Sequence, residues 1–216
     1  MIDANQRVQL SDEQTYTRWA YALTRGSVQA RPLARSARVG QLRLLTEDGF
    51  PEVYLLLASR RDAHGMEWVR VRLPQRPNGV TGWVPPVGAR PVPSCAYVAG
   101  GRPSRAARDA LRPRQGPLSA PVGVGAPGTP TPAGSFWVRE RFRVRGHSLY
   151  GTRAIGTSAY SNTLTDWPGG GVIGLHGTSE PGLIPGRPSH GCIRLKNRDI
   201  ERLYELSPVG TPLLIK

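Results

Sequence analysis

The chain has 216 residues, of which 38% are hydrophobic, so it can bury the cores of one large or two small domains. Its 26 glycines and 21 prolines follow no collagen-like period and favour short strands and turns, so we expect two mostly β domains. The net charge of +14 would attract nucleic acid or an anionic envelope surface. Most of the basic residues are arginines, a bias that coding composition alone can produce, and we expect no nucleic-acid partner.

The two cysteines, Cys95 and Cys192, are too few for a disulfide scaffold and lie in different kinds of sequence, so we expect Cys192 to be a free thiol. Residues 1–6 lack the charged start and apolar run of a signal peptide, and no stretch approaches the ~20 apolar residues of a membrane span. Taken literally, the chain is soluble and unexported. A start codon chosen too far downstream would hide an export segment.

Short strands and turns are predicted in the first part of the chain. Residues 11–25 begin like a capped helix but then alternate aromatic and polar residues, so helix and strand are both possible. Residues 53–57 form an apolar run typical of a buried strand, and 68–73 alternate apolar and basic residues as a half-buried strand does. The Asn-Gly pair at 78–79 predicts a hairpin whose returning strand is 81–85.

This hairpin resembles a bacterial SH3-like domain, whose hallmark is a W-x-x-V strand, a turn and a G-W-V strand. Residues 68–71 and 82–84 carry the match, which covers roughly residues 17–90. The resemblance implies a small SH3-like barrel that helps the protein to dock on the cell wall. We expect Trp68 and Trp83 to be core or groove-lining aromatic residues.

Residues 91–118 are predicted to be an Arg/Pro-rich linker, or the diverged first strands of the following domain. They show no sustained strand period, and Pro103, Pro113 and Pro117 discourage a long helix. An anionic polymer is an alternative partner for this segment.

Strands are again predicted in residues 119–216. A small-residue strand at 122–125, a turn-rich loop at 126–134 and a longer strand at 135–144 together predict a β-hairpin. A further strand at 169–175 leads to His176. Beyond the second cysteine, Asn197 is predicted to cap a helix over 198–206, and 211–215 reads as a final buried strand. His147, between Gly146 and Ser148, is expected in a surface turn.

Cys192 lies in a sequence suited to nucleophilic catalysis. A thiol with a pKa of about 8.5 is only a few per cent thiolate at neutral pH, so a neighbouring imidazole raises its reactivity by taking the proton. His176 and His190 are the candidate bases, and the spacing does not decide between them. Gly191 allows close backbone approach, and N–H groups around Cys192 could hold an oxyanion. A buried structural cysteine and a zinc site formed by His176, His190 and Cys192 are the alternatives.

Three segments together resemble the L,D-transpeptidase catalytic (YkuD-type) family. They are His-Gly-Thr at 176–178, Ser-His-Gly-Cys-Ile-Arg-Leu at 189–195, and the loop at 128–136. The match spans about residues 119–216. The resemblance implies a β-rich catalytic domain in the cell envelope and a cysteine enzyme that acts on peptidoglycan stem peptides, needs no cofactor or metal, and is open to covalent inhibition by carbapenems.

The same resemblance implies a role for each motif residue. Cys192 would be the nucleophile that attacks the amide before the terminal D-alanine of a tetrapeptide stem. His176 would be the proton donor and acceptor, with its ring oriented by the carbonyl of Gly177. The amides of Gly191 and Cys192 would serve the oxyanion. The acyl group would then pass to a diaminopimelate amine, giving a 3→3 cross-link, or to water, giving an L,D-carboxypeptidase.

Four further residues complete the implied site. Ser189 and His190 would shape it, Arg194 would contact substrate, and Tyr160 would line the pocket. Residues 93–118 depart from the family, whose catalytic domains usually open with one or two strands before the Val-Gly-Val-Gly strand. The rival hypothesis is therefore a peptidoglycan-binding protein with a degenerate catalytic domain.

Overall fold

The computed structural model describes residues 7–13, 17–85, 97–100, 118–146, 148–166 and 168–216. The predictions for the amino terminus, Cys95, His147 and most of 91–118 lie outside these residues. The chain forms two compact units, residues 1–102 and 103–216. Among the described residues, no helix has the length and apolar character needed to cross a membrane.

The described strands of the first unit form one antiparallel sheet. Its strands in the described residues are β1 (Val8–Gln9), β2 (Arg18–Ala22), β3 (Gly26–Gln29), β4 (Arg38–Leu42), β5 (Val53–Arg61), β6 (Glu67–Arg72), β7 (Thr81–Val84) and β8 (Tyr97–Gly100). They follow the order β4-β3-β7-β6-β5-β2-β8, and β1 pairs with β5.

The predicted strands and hairpin of this unit are confirmed. The apolar run at 53–57 lies within β5 and is buried throughout. In β6, Val69 and Val71 join the core, and the alternating arginines face away from it because successive side chains point to opposite faces. The turn between β6 and β7 is closed by the Leu73 N–H, which donates to the Val80 carbonyl at 2.9 Å. The segment 11–25, which was ambiguous between helix and strand, contains β2 at Arg18–Ala22.

Strand β8 lies inside residues 91–118, where the sequence shows no strand period. It pairs with β2, from Trp19 opposite Gly100 to Ala22 opposite Tyr97. A four-residue strand is too short for a period to stand out from its flanking glycines and prolines. The SH3-like assignment of residues 17–90 stays a prediction.

A second sheet and one helix form the described core of the other unit. The strands are β9 (Gly123–Gly125), β10 (Gly134–Arg143), β11 (Arg153–Tyr160), β12 (Val172–His176), β13 (Gly186–Ser189), β14 (Ile193–Arg194) and β15 (Pro212–Ile215), and the helix is α1 (Asn197–Leu206). The strand order is β13-β9-β14-β12-β11-β10-β15. The β12–β14 and β13–β9 pairs are parallel, and the other pairs are antiparallel.

Helix α1 closes the core beside the central strands. Its apolar residues Ile200 and Tyr204 are buried and pack with Val138, Ile155 and Leu175. Strand β12 runs parallel to β14, with His176 opposite Arg194. This pairing places the end of β12 beside the residues that follow the second cysteine.

Two predictions for this unit are wrong in detail. The strand at 122–125 forms no hairpin with 135–144: β9 pairs with β13 and β14, and β10 pairs with β11 and β15. The loop between them turns away because it bonds to the Ser189–Gly191 segment, with the Ala126 N–H donating to the Ser189 carbonyl at 2.8 Å. The helix cap is also different, since Lys196 occupies the N-cap position and Asn197 is the first helical residue.

Candidate active site

A tight turn from Ser189 to Cys192 presents the thiol. The buried Ser189 Oγ donates to the Cys192 carbonyl at 2.5 Å and accepts the Gly191 N–H at 3.1 Å. Gly191 has φ of +122°, and a Cβ there would lie 2.8 Å from Ile173 Cδ1. Glycine is therefore required at this position for both backbone conformation and space.

The turn-rich loop before β10 supports this turn from one side. Thr131 Oγ1 donates to the Gly191 carbonyl at 2.8 Å and accepts the Gly125 N–H at 2.9 Å. One hydroxyl thus joins β9, the loop and the cysteine turn. The loop 128–136, part of the sequence match, has a structural role here: it fixes the backbone beside Cys192.

The Cys192 thiol is half-buried and accepts one backbone hydrogen bond. The Gly174 N–H of β12 points at Sγ, with a nitrogen to sulfur distance of 3.4 Å. Burial raises the pKa of the Cys192 thiol, while this N–H and the positive charge of Arg194 act to lower it. The balance favours the neutral thiol at neutral pH.

His176 is buried at the end of β12, and its tautomer follows from one contact. Nδ1 lies 2.6 Å from the carbonyl oxygen of Gly177. A carbonyl only accepts, so in the neutral ring Nδ1 carries the hydrogen and Nε2 is the free base. Burial lowers the pKa of His176, the Gly177 carbonyl raises it and the charge of Arg194 lowers it. The net direction is downward, so the imidazole is neutral and able to take a proton.

Asn197 fixes the His176–Gly177–Thr178 segment from the first turn of α1. Its Oδ1 accepts the Thr178 N–H at 3.2 Å. A Cβ on Gly177 or on Gly151 would collide with this oxygen, so both positions need the space that glycine leaves. The amide side chain therefore holds the backbone whose carbonyl orients the imidazole.

Arg194 brings one positive charge to the site. Its Nη1 pairs with Glu180 Oε2 at 3.3 Å; the Arg194 side chain is 17% exposed and that of Glu180 is 53% exposed. Because the carboxylate side is largely in water, the pair contributes little to stability. Another carboxylate could therefore replace Glu180 on this guanidinium at small cost.

These groups meet in a cavity of about 250 Å³. Its walls consist of Leu149, Tyr150, Ser161, Leu164, Gly171, Val172, Ile173, His176, Ser189, His190, Cys192 and Arg194. The structure thus brings together five predicted site residues, with His190 exposed at the surface. Gly177 and Gly191 support His176 and the cysteine turn from outside the lining.

The structure does not bring Tyr160 to this cavity. Tyr160 is 4% exposed, and its hydroxyl accepts the Nη1 hydrogen of Arg139 at 3.3 Å. The preceding residue, Ala159, packs with Phe136 and Ile173. Alternation along β11 turns the next side chain to the opposite face, which is a correction to the predicted pocket-lining role.

Tyr150 occupies the place that was predicted for Tyr160. Its ring centroid lies 4.7 Å from that of His176, edge-on at 66°. Tyr150 lies in a turn before β11, and nothing in the local sequence indicates its contact with His176. Asn197 was likewise predicted only as a helix cap, because nothing local to the helix shows that its side chain reaches a segment 19 positions away.

A zinc site does not form from the candidate ligands. Within the described residues, no group of three or more His, Cys, Asp or Glu side chains is arranged to hold a metal ion. The site is thus a thiol, an imidazole and an arginine around one cavity.

Comparison with protein families gives a match over residues 104–215 to the family YkuD, described as the L,D-transpeptidase catalytic domain. A Bacillus subtilis (strain 168) protein named "Putative L,D-transpeptidase YkuD" is 34% identical over 95 residues, which are 44% of this chain and 51% of that protein. An Escherichia coli (strain K12) protein named "Probable L,D-transpeptidase YbiS" is 32% identical over 107 residues, covering 42% of this chain and 35% of the relative. The chain thus spans about half or less of the curated relatives it matches.

Solved structures give a weaker likeness. An L,D-transpeptidase from Mycobacterium smegmatis superposes with a TM-score of 0.36 at 17% identity, covering 76% of this chain and 73% of that chain. L,D-transpeptidase 3 from Mycobacterium tuberculosis gives a TM-score of 0.34 at 16% identity, covering 83% and 72%.

Proposed function

This chain belongs to the YkuD family of L,D-transpeptidase catalytic domains, and on that premise we propose that it is a peptidoglycan L,D-transpeptidase that works by cysteine acyl transfer. The donor is a tetrapeptide stem, the leaving group is its terminal D-alanine, and the product is a 3→3 cross-link. The observation that carries the proposal is the meeting of the Cys192 thiol and the His176 imidazole in one cavity, each favoured in its neutral form.

In the first half-reaction, the imidazole removes the thiol proton as the thiol attacks. His176 Nε2 takes the hydrogen of Cys192 Sγ while sulfur bonds to the donor carbonyl carbon, giving a tetrahedral oxyanion. The carbon–nitrogen bond then breaks, and the same proton passes from Nε2 to the amine of D-alanine. Because both groups begin neutral, the proton transfer accompanies attack and no stored thiolate is needed.

Backbone N–H groups are the candidate donors to the oxyanion. The Gly191 N–H already donates to Ser189 Oγ at 3.1 Å, so it is not open to substrate. In the described part of the chain the Cys192 N–H has no acceptor, which makes it the donor we assign. The role that remains for Gly191 is conformational, through its positive φ and the close approach of Ile173.

In the second half-reaction, an amine attacks the thioester and gives its proton to His176 Nε2. The expelled sulfur takes that proton back, which restores the neutral pair. A diaminopimelate amine as acceptor gives the cross-link, and water as acceptor gives an L,D-carboxypeptidase. We assign Arg194 to a substrate carboxylate and the rim formed by Leu149 and Tyr150 to the apolar parts of the stems.

The site of action follows from the substrate. Peptidoglycan lies outside the cytoplasm, so we propose that the protein acts in the cell envelope. We also propose that residues 17–90 form an SH3-like module that docks on the wall.

The test is incubation of the purified protein with disaccharide-tetrapeptide, followed by mass spectrometry of the products. We expect a dimer that has lost one D-alanine. Cys192→Ala should abolish the product, because no nucleophile replaces the thiol, whereas Cys95→Ala, the matched change at the other cysteine, should keep it. A tripeptide without dimer would identify water as the acceptor.

A second assay separates chemistry from acceptor choice. A carbapenem carries a strained amide that Cys192 should open, so intact mass should show one covalent adduct on the wild type and on Cys95→Ala only. A folded wild-type protein with neither product nor adduct, but which sediments with insoluble cell wall, would overturn the enzyme assignment in favour of a wall-binding protein.

A further inference from the structure

A second cavity lies in the amino-terminal unit and shares no lining residue with the cysteine cavity. Its volume is about 500 Å³, a size typical of small-molecule sites. It is lined by Arg7, Gln9, Ser11, Asp12, Glu13, Leu57, Arg70, Arg72 and Thr81. Three of these side chains are guanidinium groups and two are carboxylates.

The wall of this cavity is built by an irregularity in β5. The pairing of β5 with β6 shifts register between Leu56 and Ala58, which leaves Leu57 as a bulge. The Leu57 carbonyl accepts the N–H groups of Leu10 at 2.9 Å and Ser11 at 3.4 Å. These two bonds hold the segment after β1 against β5. Bulges of this kind occur preferentially beside binding sites.

Arg70 and Arg72 point into the cavity side by side, because residues two apart on a strand share a face. Arg72 is fully engaged: it holds the Glu13 carboxylate by two hydrogen bonds, of 2.7 and 2.8 Å, and donates to the Gly79 carbonyl at 3.1 Å. Arg70 donates from Nε and Nη2 to one hydroxyl, Thr81 Oγ1, at 3.2 and 2.8 Å. Across the described residues, Arg70 has no carboxylate partner.

Glu13 reaches Arg72 from an unusual backbone conformation. Its φ is +61°, and among the described residues it is the one non-glycine with positive φ. Such a conformation costs about 1 kcal/mol or more and indicates a constraint imposed by the surroundings. This conformation places the planar Glu13 carboxylate against the Nε and Nη2 groups of Arg72 inside the cavity. The geometry therefore already shows how a carboxylate fits there.

We propose that this cavity binds a small carboxylate ligand, of the size of an acidic dipeptide, whose carboxylate pairs with Arg70 beside the Arg72 fork that holds Glu13. Nε and Nη2 of Arg70 donate to Thr81, whereas Nη1 has no partner among the described residues, so the two terminal nitrogens can still hold a planar two-oxygen anion. The proposal concerns the amino-terminal unit alone and stands or falls separately from the acyl-transfer chemistry.

The experiment is an NMR titration of the full-length protein with N-acetyl-Ala-Glu, using its diamide and inorganic phosphate as comparison probes. Residue-resolved amide signals separate binding near Arg70 and Thr81 from binding near Cys192. We expect saturable shifts at Arg70, Arg72 and Thr81 with a millimolar dissociation constant, about tenfold weaker in Arg70→Gln. Arg38→Gln, which removes the same charge from exposed β4, should bind like the wild type.

Two further variants keep the proposal falsifiable. Arg70→Lys retains the charge but not the fork, so it should bind with intermediate affinity and guards against misfolding of the glutamine variant. Glu13→Gln removes the internal carboxylate, so binding should become about threefold tighter as Arg72 is released. No saturable shift, equal loss in Arg38→Gln and Arg70→Gln, or equal binding of the diamide would overturn the proposal. Tighter binding of phosphate than of the acid would overturn the choice of carboxylate.

Discussion

The two cavities differ in the charge of the side chains that matter most in each. In the cysteine cavity, burial pushes both reactive groups toward their neutral forms: the pKa of the Cys192 thiol is raised and that of the His176 imidazole is lowered. In the amino-terminal cavity, two partly exposed guanidinium groups lie side by side, and one of them, Arg72, is matched by Glu13.

The difference shows what burial does for each kind of site. Removing water from a thiol and an imidazole costs little if both are neutral. In the proposed reaction, the proton then leaves the sulfur only as the sulfur bonds to the substrate carbon. A charge-recognition site has the opposite requirement, since full burial of unmatched arginines would cost several kcal/mol each. The partial exposure of Arg70 and Arg72 therefore lowers the cost of placing two guanidinium groups side by side in this cavity.

Loss of the base should have the largest effect. His176→Gln should slow carbapenem acylation by about 100- to 10,000-fold, because no group then takes the thiol proton. His190→Gln, the matched change at the exposed histidine of the same cavity, should cost far less. Time-resolved intact mass measures both rates. Equal losses of rate in the two variants would mean that His176 is not the base. The neutral Cys192–His176 pair would then no longer describe this cavity.

The second prediction concerns the support of that base. Asn197→Ala removes the acceptor for the Thr178 N–H. The Gly177 carbonyl should then lose its fixed orientation toward His176, and acylation should slow by about tenfold. Asn197→Asp keeps an oxygen at the same place and should recover most of the rate. Acylation rates together with thermal midpoints distinguish positioning from stability. A rate loss that scales only with the midpoint in both variants would leave Asn197 as a purely structural residue.

Asn197 also shows which parts of the site could be predicted from the sequence. The motif around Cys192 and His176 was enough to predict that both belong to one site, because both lie in short segments of recognisable pattern. Asn197 was predicted as a helix cap from local rules, but its contact joins segments 19 positions apart. Tyr160 was misplaced because the face of a residue depends on register, and β11 shifts register against both of its antiparallel neighbours. Long-range pairing, such as β9 with β13, has no local signal at all.

The third prediction concerns the pH dependence of Cys192 alkylation, which reports whether the resting thiol is neutral. In a Cys95→Ala background, alkylation of Cys192 by iodoacetamide should keep rising with pH beyond the ordinary cysteine pKa of about 8.5, because burial raises the pKa of Cys192. Arg194→Gln removes a positive charge that lowers this pKa, so it should slow alkylation at pH 8 by a few-fold. Rates are read by intact mass. A plateau reached near pH 7 would instead indicate a resting thiolate.

The smallest effect is expected in the other cavity. The Arg72–Glu13 pair has two short hydrogen bonds, but its side chains are 16% and 26% exposed, so solvent screens them. A double-mutant cycle with Glu13→Gln and Arg72→Gln should give a coupling of about 0.5–1 kcal/mol in urea unfolding followed by NMR signals of residues 18–84. High salt should reduce it further. A coupling above about 2 kcal/mol would mean a dry, structural ion pair. The contrast between a neutral thiol–imidazole pair and a solvent-screened charged pair would then fail.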